Sequence, residues 1–202
     1  GKKVHKTQII NDKGIHICKS MVAWRQFAKG ETPSSKNIKG DFFVGKYYVL
    51  FDKQYKNEVL TLVSSGVEPE KAKKQSKILN EAQSMLIQWE QGDIETKKLW
   101  SKMNNWVYKG FEKTYSDLGV SFDSIYYESD TYVSGKKIVE QGLKKNVFFQ
   151  KKDKSIWVDL SKEGLDEKIL LRSDGTSVYM TQDIGTILAR YKKHPKMNSM
   201  IY

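Results

Sequence analysis

Cysteine, proline and histidine are scarce in this chain: one, three and three among 202 residues. With Cys18 alone, an internal disulfide is impossible and a cysteine-built zinc cluster is excluded. His16 and Cys18 stand two apart, so on a helix they point in different directions and make a poor metal pair. No apolar run reaches the roughly 20 residues that cross a bilayer, so no membrane partner is expected, and no secretory pattern opens the chain. Few prolines and scattered glycines argue against a long disordered linker. Phosphate loops of the Gly-x-x-x-x-Gly-Lys type, Gly-x-Gly-x-x-Gly turns and Gly-x-Ser-x-Gly elbows are all missing. A cytoplasmic protein is expected.

Acidic residues are also in deficit. Thirty-five lysines and arginines face 24 aspartates and glutamates, a net charge of +11. Such an excess favours polyanions through neutralised phosphates and released counterions. The lysines are spread along the whole chain, so a solvated basic surface explains them as well as a nucleic-acid partner does.

The most informative stretch is Leu171-Arg172-Ser173-Asp174-Gly175-Thr176, followed by Tyr179-x-x-x-Asp183. Ile169 to Leu171 suit a strand, Asp174-Gly175 a tight turn, and Thr176 and Ser177 the cap of a helix. A helix from Tyr179 to Lys193 puts Tyr179 and Asp183 on one face near its N-terminus. A carboxylate there can accept a forked pair of hydrogen bonds from a guanidinium, which an ammonium cannot match. On spacing alone, Tyr179 in a core and Asp183 answering the helix dipole is the plainer explanation.

This motif resembles the signature segment of the arginyl-tRNA synthetases, which are class I synthetases. The resemblance implies that Tyr179 and Asp183 line the pocket for L-arginine, with Asp183 facing the guanidinium. A second stretch, Gln8-Ile9-Ile10-Asn11-Asp12-Lys13-Gly14, is similar to the segment after the family's second strand. Asp12 and Gly14 would then border the active site. From pattern alone, Asn11-Asp12 reads equally as the cap of the next helix.

Between these stretches the pattern is mostly helical. Val4 to Ile10 reads as a strand, and apolar spacing predicts a helix from Ile15 to Phe27. Residues 29–43 read as loop, Lys46 to Leu62 as a helix, Pro69 to Glu90 as one long helix, and Ile94 to Tyr115 as another. Lys71, Lys73, Lys74 and Lys77 would make a basic first turn, which the dipole disfavours and which hints at a phosphate contact. Trp89, Trp100 and Trp106 recur at helical spacing, which suits a core better than base stacking. Gly119 to Tyr127 leads into a strand, a helix covers 132–144, and Val147 to Leu160 reads as a hairpin. Met200-Ile201-Tyr202 resembles the opening of one more strand.

The fold class expected is α/β: a partial Rossmann-like nucleotide-binding fold of the class I synthetase type. A largely helical connecting segment, containing the hairpin, would be inserted in it. Residues 1–30 would begin the catalytic fold, 31–166 would be the insertion, and 167–202 would return to the fold with the arginine motif. The resemblance implies an arginine–tRNA ligase that activates L-arginine with ATP, magnesium accompanying, and esterifies it to tRNA(Arg). The His-x-Gly-His and lysine–serine ATP signatures of the family are not in this sequence. An excised, inactive piece with no catalytic residue of its own is therefore expected, monomeric and without a tightly bound cofactor. The alternatives are a basic non-catalytic RNA-binding module and a plain protein-interaction domain.

Overall fold

Glycines set the closest approaches in the computed structural model, which describes residues 3–201. The chain divides into two compact units, one made of Gly1–Asp12 with Phe122–Tyr202, the other of Lys13–Ser121. These limits differ from the 31 and 166 expected for an inserted segment.

The unit from Lys13 to Ser121 is helical: α1 (Ile15–Phe27), α2 (Pro33–Lys36), α3 (Gly40–Ser64), α4 (Pro69–Gln75), α5 (Lys77–Gln91) and α6 (Ile94–Asp117). Its core gathers Met21, Val22, Phe43, Phe51, Ile78, Met85, Leu86 and Met103. Fully burying each such side chain contributes about 1.5–3 kcal/mol. The tryptophans belong to this packing. Trp89 is buried and meets Trp100 edge-on at 5.3 Å, and Trp24 meets Trp106 at 5.7 Å. Cys18 is buried in the same core, and loss of hydration pushes its thiol pKa up to about 12.

The segment expected to be one helix from Pro69 to Glu90 is two, because Ser76 leaves helical geometry at ψ 121°. Its hydroxyl donates to Glu58 at 2.7 Å and accepts from the Leu79 N–H, while Glu58 also accepts from the Ile78 N–H at 3.2 Å. A buried carboxyl-assisted cap thus starts α5 afresh. Lys73 and Lys74 consequently fall in the last turn of α4, where the dipole favours them. The hint of a phosphate contact there disappears. Residues 29–43, expected as loop, hold α2 and the start of α3; Thr32 and Ser35 cap each other, which short-range apolar periodicity does not report.

The other unit holds two small sheets. Strand β1 (Thr7–Ile10) runs parallel to β2 (Ser124–Tyr127), in the register Thr7 to Ser124 and Ile10 to Tyr127. Strands β3 (Phe149–Gln150), β4 (Ile156–Val158) and β5 (Lys168–Leu171) form an antiparallel sheet in that order. The hairpin expected between 147 and 160 is therefore present as β3–β4. β5 pairs with β4, since the hairpin offers it an adjacent edge. Met200 and Ile201 form no strand, and Tyr202 lies outside the described residues.

Two helices complete this unit, α7 (Glu128–Lys144) and α8 (Tyr179–Lys193), the latter with the bounds expected from the sequence. A Cβ built on Gly135 would overlap the Thr181 carbonyl oxygen, and one built on Gly185 would overlap that of Thr131. The two contacts are reciprocal, so α7 and α8 cross antiparallel with backbone against backbone. Thr131 and Thr186 share a hydroxyl hydrogen bond of 3.1 Å at the crossing. The Thr181 hydroxyl donates to the Leu170 carbonyl and so ties α8 to β5.

Replacing Gly135 or Gly185 by alanine forces a side chain into a backbone carbonyl. Each is expected to destabilise the chain by about 1–3 kcal/mol or more in urea unfolding. Gly45→Ala, where a Cβ meets nothing within 4 Å on an exposed turn of α3, should instead stabilise by up to about 1 kcal/mol. The Cys18 thiol should resist alkylation at pH 8 in the folded chain and label at the rate of unfolding.

Candidate functional site

The turn before α8 is tied by its own side chains. Gly175 adopts φ 79°, open to glycine at no steric cost. Asp174 accepts from the Thr176 N–H at 2.9 Å and hydroxyl at 2.7 Å, and the Arg172 guanidinium donates to the Ser177 carbonyl at 2.7 Å. The Thr176 hydroxyl is thus spent inside the turn, and the cap of α8 is Val178 rather than Thr176 or Ser177. The hydroxyl oxygen of Thr181 accepts from the Val178 N–H at 3.2 Å.

Tyr179 begins α8 and is half exposed, at 53%. Asp183 stands one turn later and is half-buried. Its carboxylate has no hydrogen-bond or ion-pair partner among the described residues. Burial raises its pKa above the ordinary carboxylate range, and the positive charge of Arg190, two turns on, partly offsets this. Gln182, beside it in sequence, is buried, and its side-chain carbonyl lacks a donor among the described residues.

Contacts at the far end of α8 tie it to the parallel strands. Arg190 donates to the Thr7 hydroxyl at 3.0 Å and Lys193 to the Ser124 hydroxyl at 2.7 Å, both at the amino ends of the strands. The opposite, carboxyl edge of the strands is where parallel α/β folds take ligands.

Asp12 lies at that edge. It is 1% exposed, and its carboxylate accepts from the Ser129 N–H at 2.9 Å and the Ser129 hydroxyl at 2.6 Å. It caps a helix, as one sequence reading had it, but the helix is α7, reached across 117 residues and not the next one along. Gly14, at φ 125°, precedes α1 and belongs to the other compact unit. Tyr179 and Asp183 are thus brought together on one helix, and Asp12 stands at the carboxyl end of β1. Two neighbours escaped the sequence reading: Gln182, and Glu128, a buried carboxylate in the first turn of α7. A glutamate directly after a short aromatic strand was the available signal for the second.

Across residues 4–202 the sequence matches the family model described as tRNA synthetases class I (R), catalytic domain. The chain belongs to this family. Among curated relatives of this synthetase family, an arginine–tRNA ligase of Bacteroides fragilis is 58% identical over 202 residues, and one of Flavobacterium psychrophilum is 57% identical. All of this chain and 34% of each relative are covered, so the chain spans about a third of their length. Among solved structures, the arginyl-tRNA synthetase of Plasmodium falciparum superposes with a TM-score of 0.56 at 19% identity, covering 92% of this chain and 27% of that one. That likeness speaks to the fold: a class I synthetase catalytic domain, here mostly helical with small sheets. No described helix is long and apolar enough to cross a membrane. No group of three or more metal-ligating side chains is found among the described residues.

The raised pKa of Asp183 has a definite sign for stability. Its neutral form is favoured by the fold, so its contribution is fully present below the unfolded carboxylate pKa of about 4 and is lost as pH rises through the higher folded value. Asp183→Asn should therefore be more stable than the wild-type chain at pH 7, with the advantage vanishing toward pH 3. Urea midpoints measured across this range check it.

Proposed function

We propose that this chain is part of an arginine–tRNA ligase that activates L-arginine with ATP and esterifies it to tRNA(Arg), and that Asp183 recognises the guanidinium. The observation that carries the reading is the state of Asp183: half-buried, and without a hydrogen-bond or ion-pair partner among the described residues. A carboxylate held under a desolvation penalty is relieved most by a cation that also supplies parallel N–H donors, which is what a guanidinium does. Tyr179, one turn away and half exposed, offers a ring face and a hydroxyl beside it. Asp12 borders the site in this reading by holding the start of α7 in place.

The surrounding fold is read as the first half of a Rossmann-like nucleotide-binding sheet, with the helical unit as its inserted connecting segment. ATP, with magnesium, would be held by signatures that this sequence does not contain, so no residue here is assigned to it and the isolated chain is inactive. A monomeric, cytoplasmic protein fits the reading. The buried tryptophans weigh against a module that binds RNA by aromatic stacking, because Trp89 is 2% exposed and its neighbours pack in the helical core.

The test is arginine charging of tRNA(Arg) by the full-length polypeptide, wild type beside Asp183→Asn. Losing a buried charged partner is worth about 2–5 kcal/mol, so kcat/KM for arginine should fall about 30- to 5,000-fold with tRNA affinity unchanged. An unimpaired variant would remove Asp183 from the pocket, and a wild type that charges nothing would end the ligase reading.

A further inference from the structure

The end of α8 opposite to Asp183 carries a second cluster, built from basic groups. The His5 and His194 rings lie 4.2 Å apart between centroids, tilted by 50°. Ser124 stands between His5 Nε2 at 2.9 Å and Lys193 Nζ at 2.7 Å. With Ser124 accepting from Lys193 and donating to His5 Nε2, the His5 Nδ1–H remains as a free donor, and Lys193 keeps two N–H groups. Lys3, His5 and Lys193 are exposed, and neither lysine has an ion-pair partner among the described residues. His194 is half-buried, and its Nε2 lacks a hydrogen-bond partner among the described residues. Arg190 adds a further positive charge one turn earlier, bonded to Thr7. On the acidic side stands Asp123, one of whose oxygens accepts the Lys6 N–H at 2.7 Å.

Such a group repels itself. Burial lowers the pKa of His194, and the charges of His5, Lys193 and Lys3 push it the same way, with no carboxylate among them. The dipole at the C-terminus of α8 accounts for one cation in its last turn. It does not account for an imidazole from the amino-terminal segment lying against one at its own end. An anion with several acceptor oxygens would use the free N–H donors and remove the repulsion together.

We propose that His5, Lys193 and His194 bind a phosphate group, supplied by an RNA backbone or free in solution. The surface is separate from the proposed arginine site, since Asp183 and Lys193 are ten residues apart on one helix, about 15 Å. Only the choice of tRNA as a probe rests on the proposed function.

The experiment follows tRNA(Arg) transcript binding to the full-length polypeptide against salt concentration, for wild type, Lys193→Gln and Lys193→Arg. One lost phosphate contact reduces the slope of log K against log salt by about 1, and weakens binding about fivefold at 0.15 M salt. That change in Lys193→Gln, with wild-type slope in Lys193→Arg, is the expected result. A second arm measures Tm with inorganic phosphate at constant ionic strength, since a ligand of the folded state raises it. A phosphate-dependent rise lost in Lys193→Gln, with an unchanged tRNA slope, assigns the site to free phosphate. Wild-type behaviour of Lys193→Gln in both arms overturns the proposal. Arginine charging is recorded for the same proteins; a wild type that charges nothing sinks the ligase reading and leaves both arms readable.

Discussion

Backbone meets backbone where α7 crosses α8, and the placement of the candidate site follows from that contact. Thr131-x-x-x-Gly135 on one helix faces Thr181-x-x-x-Gly185 on the other, each glycine under the other helix's threonine carbonyl. Four-residue spacing puts both members of each pair on one face. Side chains are excluded from the seam, so the crossing has no slack for rotation. The hydroxyls of Thr131 and Thr186 satisfy each other at the crossing, and that of Thr181 donates to the Leu170 carbonyl in β5. Tyr179 and Asp183 therefore inherit their positions from a contact in which neither takes part.

The two ends of α8 then acquire opposite characters. Near its start, a carboxylate is desolvated without a partner, and a buried amide carbonyl lacks a donor. Near its finish, cations accumulate around a single serine hydroxyl. A helix dipole would favour this arrangement of charge even on an inert helix. What exceeds the dipole is the desolvation at one end and the convergence of the amino-terminal segment at the other. Asp12 makes the same point on α7: a carboxylate from a remote loop, nearly buried, is used to satisfy the first turn of a helix.

Much of this was legible in the sequence where one physical rule acts alone. Apolar periodicity located α1, α6 and α8, and the long motif pointed to the family that the comparisons then showed. Legibility failed where two local interactions competed. Ser76 sits in a stretch of continuous helical periodicity, and only the side chain of Glu58, from another helix, makes it a cap. Thr176 is a good capping residue by type, but Asp174 engages its hydroxyl first. The partner of β1 was unreadable for a different reason: strand pattern gives no address, and β2 lies beyond the whole helical unit. Within the site, residue types singled out Tyr179, Asp183 and Asp12, whereas Gln182 and Glu128 become notable only through burial.

The parallel pairing of β1 with β2 has a consequence for how the chain acquires its shape. Thr7 and Ser124 are 117 residues apart, with the whole helical unit between them in sequence. Local contacts form fast, and distant strand pairing must first overcome loop closure. At ribosomal speeds of about 5–20 residues per second, β1 emerges some 6–23 s before its partner exists. During that interval its open edge is a template for any passing strand. Lys3, His5 and Lys6, crowded just ahead of β1, give the waiting segment the like charges that keep such edges apart.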